Sequence, residues 1–71
     1  MKLFSYHIYD KWSGDSAHGV VITSDIKQAE QEVIENYHEQ YEIGSVYVYD
    51  LCKSVDTKEE SIIEIYEHVA D

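Results

Sequence analysis

Hydrophobic and polar residues alternate along Lys2–Asp10, with Phe4, Tyr6 and Ile8 on one side and Leu3, Ser5, His7 and Tyr9 on the other. That period, carried by aromatic and β-branched residues, predicts a strand with apolar groups on both faces. Lys11–Ser16 is a polar turn around Gly14, of a length that suits a hairpin loop. Within it, Trp12 either folds back over a sheet edge or stands out as an exposed aromatic anchor. Ala17–Thr23 makes a second strand through Val20, Val21 and Ile22.

From Ser24 to Glu42 the period lengthens. Ile26, Ala29, Val33, Tyr37 and Tyr41 recur at three- and four-residue steps, and Ile34 widens the stripe. An amphipathic helix able to cover a sheet is the expected result. Ser24 or Asp25 can accept from the free N–H groups of the first turn, and Gln28, three residues after Asp25, gives a box-like start. Gly44 suits the left-handed position just past the helix end.

Alternation returns in Ser45–Lys53, where Val46 and Val48 face one way and Tyr47, Tyr49 and Leu51 the other, predicting a third strand. Ser54–Ser61 is polar and reads as a loop or, from the spacing of Thr57 and Glu60, as the first turn of a helix. Ile62–Val69 fits two patterns. Ile62, Ile65, Tyr66 and Val69 share a helical face, whereas Ile62–Tyr66 is rich in strand formers; a strand paired with the third is the preferred reading.

The expected architecture is a single domain, residues 1–71, of the α+β class: ββαββ, a largely antiparallel sheet with one helix on one face. The alternative is ββαβα with a C-terminal helix. One helix leaves the other sheet face open, presenting a subset of Tyr6, Tyr9, Tyr47, Tyr49, Leu51 and Tyr66. Tyrosine joins apolar area to a polar tip, and such patches mark association surfaces, with a homodimer as the simplest use. The plainer reading is that tyrosines tolerate half-burial on a wet face.

Charge narrows the function. Five Lys, no Arg and fifteen Asp and Glu in 71 residues give a formal net charge of −10. Direct nucleic-acid binding is disfavoured, because it rests on cations that displace phosphate counterions. Met1–His7 is too polar for a signal-peptide core and no apolar run approaches membrane length, so a soluble, cytoplasmic protein without membrane partners is expected. Cys52 has no cysteine to pair with and reads as a small buried hydrophobe in a reducing compartment.

The acids are patterned. Glu32, Glu35, Glu39 and Glu42 follow at steps of three, four and three with no lysine between them, and like charges so spaced each cost a helix roughly 0.2–0.5 kcal/mol. Lys27 in the first turn and Glu39 and Glu42 near the last also oppose the helix dipole. The stripe is either a solvated face or a docking surface for a basic partner.

No catalytic constellation, cofactor motif or metal-ligand spacing emerges. Gly14, Gly19 and Gly44 are isolated, His7, His18, His38 and His68 are scattered, and no carboxylate pair stands apart from the others. A Cys52–His68 pair would require the third and fourth strands to be neighbours. Tyr47 and Tyr49 alternate as the stacking aromatics of sheet-based RNA binders do, but lack accompanying positive charge.

Small size, the charge of −10, the absence of Arg and the stripe Glu32, Glu35, Glu39, Glu42 make the chain resemble, as a class, the small acidic inhibitors of phages and mobile elements. That class includes anti-restriction and anti-CRISPR proteins, some of which mimic DNA. The resemblance implies a non-enzymatic inhibitor whose carboxylates occupy the cationic nucleic-acid groove of a partner. The contacts would be Glu32, Glu35, Glu39 and Glu42, with Asp50, Asp56, Glu59, Glu60, Glu64 and Glu67 as extensions. The competing expectation is a homodimeric interaction module that uses Tyr47 and Tyr49.

Overall fold

The structure, a computed structural model, describes residues 1–70. Its elements run β1 (Lys2–Asp10), β2 (Ser16–Thr23), α1 (Ile26–Tyr37), β3 (Ile43–Ser54) and β4 (Ser61–His68), an α+β domain in the expected ββαββ order. All strand pairs are antiparallel, in the order β3-β1-β2-β4. The final segment is a strand, as its run of strand formers favours.

The β1–β2 hairpin turns where Asp10 collects the N–H groups of Trp12 and Ser13 at 2.8 and 2.9 Å. Gly14 takes φ 80°, which costs a glycine little. Asp25 caps α1, accepting from Gln28 N–H at 2.9 Å. Ala29, Val33 and Tyr37 are buried along the helix, and Tyr41 joins them from the following turn. They pack on Phe4, Tyr6 and Ile8 of β1 and Val21 of β2, with Val46 and Val48 of β3 at the flank.

Three expectations about backbone placement are corrected. The helix ends at Tyr37, so Glu39 lies on a turn and Glu42 in the connection to β3. Chain reversal there is made by Gln40 and Tyr41 N–H groups bonding the Tyr37 carbonyl, without a left-handed glycine. Gly44 is instead the second residue of β3, beside Lys11, whose Cα would stand 2.9 Å from an added Cβ. Finally, β4 does not pair with β3: the two occupy opposite edges of the sheet.

Two connections lay out this order. The helix carries the chain from β2 across β1, so β3 runs parallel to β2 and pairs with the free edge of β1. The connection Val55–Glu60 then passes the β1 terminus, where Val55 N–H bonds the Met1 carbonyl at 2.8 Å, and delivers β4 to the free edge of β2. Six residues reach up to roughly 20 Å, enough for the three strand spacings of about 4.8 Å that separate β3 from β4.

Candidate functional site

Strand register sorts the side chains into two unlike faces. On the helix side, Phe4, Val21 and Ile62 share one row and Ile8, Ala17 and Glu67 another. Gly19 and Glu64 stand opposite Tyr6 between them. A register shift between His18 and Gly19 leaves Ile65 as the extra residue of β4 and returns Glu67 to the helix side.

Where β4 meets the helix, carboxylates line the seam. Glu32 and Glu35 of α1 face Glu60, Ser61 and Ile62 across an open groove of roughly 380 Å³. Hydroxyls, rather than cations, meet these acids. The buried Thr23 hydroxyl lies 3.2 Å from Glu32 and 3.3 Å from Glu60, and its single hydrogen serves one of them at a time. Burial, and then the neighbouring Glu60, raise the pKa of Glu32 above the ordinary carboxylate value.

Further along the seam, Tyr37 donates to Glu64 at 2.7 Å, leaving its oxygen to accept from Tyr6 at 2.6 Å. Burial is the main reason both tyrosine pKa values rise, and the Glu64 charge adds to it. Tyr41 lies 3.4 Å from Glu67, which also accepts from Gln40 at 2.7 Å. Burial first, and then Glu67, push the Tyr41 pKa up to about 12. The seam is polar: its hydroxyls are buried at Thr23, Tyr37 and Tyr41, while Glu60 and Glu64 are exposed and Glu32 and Glu67 half-buried.

The opposite face has no helix over it. Four antiparallel strands set its side chains in rows, of which the central one is Tyr47–His7–His18–Tyr66 and the next Tyr49–Ser5–Val20–Ile63. His7 stacks on Tyr9 and meets His18 edge-on, with centroids at 4.6 and 5.3 Å. His18 stacks on Tyr66 at 5.4 Å, and Tyr9 meets Tyr47 edge-on at 6.1 Å. An aromatic band thus crosses the sheet from edge to edge. The outer rows add Lys53, Leu3, Ile22 and Ser61 at one end, and Ser45, Tyr9, Ser16 and His68 at the other. Among the described residues, no Asp or Glu occupies a paired position on this face.

The sequence-derived candidates therefore separate. Glu32, Glu35 and Glu39 lie on the helix side and Tyr47 and Tyr49 on the open face, so one flat partner cannot engage both sets. Glu42 is tied by its N–H to Asp10 at 2.9 Å, and its carbonyl accepts from Lys11. Asp50 stands at the β3 edge, accepting from Cys52 N–H at 2.8 Å. Of the six residues expected on the open face, Tyr6 is buried beneath the helix and Leu51 lies in a bulge that interrupts β3 after Asp50. Trp12 is exposed at 73 %, with the Lys11 ammonium 4.9 Å from its ring centre.

Cys52 overturns its expectation. It is exposed in the β3 bulge at φ 56°, because the two extra residues between Asp50 and Lys53 lift it out of the ladder. It stands on the opposite sheet edge from His68, so the pair considered from sequence does not form. Spacing along the chain missed the hydroxyl partners of Glu64 and Glu67, since it does not reveal which strand meets Tyr37 and Tyr41. Among the described residues, no group of three or more His, Cys, Asp or Glu is placed to hold a metal ion, and no helix is long and apolar enough to cross a membrane. No protein-family model, curated protein or solved structure matches the chain.

Proposed function

We propose that this protein is a non-enzymatic inhibitor whose acidic α1–β4 seam occupies the cationic, nucleic-acid-binding groove of a cytoplasmic partner protein. The observation that carries this reading is the meeting of Glu32 and Glu35 of α1 with Glu60 of β4's approach along one open groove. Glu64 and Glu67 continue the acidic line, and the contacts made by its carboxylates are to hydroxyls and amides. Placing carboxylates in rows on two elements imitates the two-sided charge of a nucleic-acid backbone better than one helical stripe would. The action is DNA mimicry of the anti-restriction or anti-CRISPR kind, in a phage or mobile-element setting.

A charge of −10 accelerates encounter with a basic surface and makes the association salt-sensitive. Glu35 and Glu39 are exposed, so Glu35→Lys with Glu39→Lys reverses local charge without touching the core. The test is capture of partners from a bacterial lysate at low and high salt, identified by mass spectrometry and competed with nucleic acid. Expected is a DNA- or RNA-handling protein that is released by salt, displaced by nucleic acid and lost with the double variant. Retention of the same partner by that variant removes the proposal.

A further inference from the structure

A chain that is about one-fifth acidic places none of its carboxylates, among the described residues, at the paired positions of its open sheet face. Tyr47, Tyr49, Ile63 and Tyr66 are exposed there, while His7 and Val20 between them are half-buried. We propose that this face is the interface of a symmetric homodimer, with His7 and His18 near its two-fold axis and the acidic seams turned outward.

Charge complementarity selects the occupant. A basic partner needs carboxylates, and among the described residues none holds a paired position on this face. Phosphate would meet Lys53 and the histidines, but only against the field of a chain of net charge −10. A second copy has neither conflict. Stacking two sheets through this face, about 10 Å apart, keeps the acidic seams separated by both sheet layers.

Shape and area agree. Tyr49 and Ile63 project at the edges of a row whose interior holds Ser5 and Val20, so each copy offers both projections and shallow positions to a two-fold mate. Four strands spaced by about 4.8 Å and seven residues rising about 3.3 Å each cover roughly 19 by 23 Å. With side-chain relief, a pair of such faces removes on the order of 1,000 Å² from water, which meets the threshold for a specific interface.

The experiment is solution mass by light scattering on the intact chain at near-neutral pH. The result expected is twice the 8.3 kDa of one chain. Tyr47→Glu with Ile63→Glu should return it to monomer while circular dichroism keeps the sheet signature, and Glu35→Lys with Glu39→Lys should leave the dimer intact. The last comparison separates this interface from the function proposed for the seam. Should the first variant not fold, isotope-filtered contacts in a mixed-label sample of the wild type decide the same question: intermolecular contacts should map to Tyr47, Ile63 and Tyr66. A monomer at hundreds of micromolar overturns the proposal, as does a dimer whose contacts map to α1.

Discussion

Gly19 stands where β2 passes closest to the hydroxyl network of the seam. A Cβ added there would lie 2.0 Å from the Ile63 carbonyl oxygen and 2.9 Å from the Tyr6 hydroxyl, and the first of these is backbone that cannot rotate away. Gly19→Ala should therefore destabilise the protein by about 3 kcal/mol in urea unfolding, through displacement of β4. The hydroxyls above it act as a unit. Tyr37→Phe leaves the Tyr6 hydroxyl without its acceptor and should cost about 1–3 kcal/mol, whereas adding Tyr6→Phe removes the stranded group as well. The double variant should accordingly be less destabilised than the sum of the two single ones. At Cys52, φ 56° is a region in which a side chain crowds its own backbone; Cys52→Gly should raise the unfolding free energy in urea titrations by about 1 kcal/mol or less.

At the scale of elements, two carboxyl groups pull stability in opposite directions with pH. Asp10 binds the N–H groups of Ser13, Trp12 and Glu42, which hold its pKa down to about 2. Its ionised form is favoured by folding, so its contribution is present above the unfolded value of about 3.9 and disappears as pH falls toward 2. Glu32 is the reverse case. Burial, and then Glu60, make the folded state hold this proton more tightly than the unfolded chain does. Stability is thus lost as pH rises from the ordinary carboxylate range through the raised value, and remains lower at neutral pH. Glu32→Gln should raise the thermal midpoint at pH 7 with little effect near pH 4, while Asp10→Asn should lower the midpoint at pH 7 and flatten the loss below pH 4. Thermal scans over that range check both. The Glu32 effect belongs to the seam as a whole, because Thr23 can donate to only one of the two carboxylates it touches.

For the whole molecule, a net charge of −10 on a chain this small acts against compaction, and the carboxylates gathered along the seam sharpen the effect locally. Added salt should raise the thermal midpoint by screening that repulsion, over a range in which the mean separation of charges exceeds the Debye length of about 10 Å at 0.1 M. Reversing Glu35 to Lys should raise the midpoint at low salt and make its salt dependence shallower. A midpoint indifferent to salt would mean that the repulsion is already relieved in the folded state. The open face is aromatic, with Lys53 in its outer row and no described Asp or Glu at a paired position, which gives the molecule two surfaces of different chemistry on opposite sides of one sheet.

Periods of two and of three to four residues were enough to locate the strands, the helix and its apolar face, because those patterns are local and one buried face enforces them. Asp25 marked the helix start for the same reason: a cap bonds within its own first turn. The far ends of elements were less legible. Tyr41 continues the apolar spacing of α1 although the helix has stopped at Tyr37, since a turn can deliver a side chain to the same core. Tertiary structure alone decided the strand order. Nothing in Ser61–His68 records whether it joins the edge of β3 or of β2, and a six-residue connection reaches either. That choice brings Glu60, Glu64 and Glu67 to Thr23, Tyr37 and Tyr41, and it completes an open face whose paired positions, among the described residues, hold no acid. Charge and composition are sums over the chain; the placing of Glu60, Glu64 and Glu67 beside α1 depends on which edge the last strand occupies.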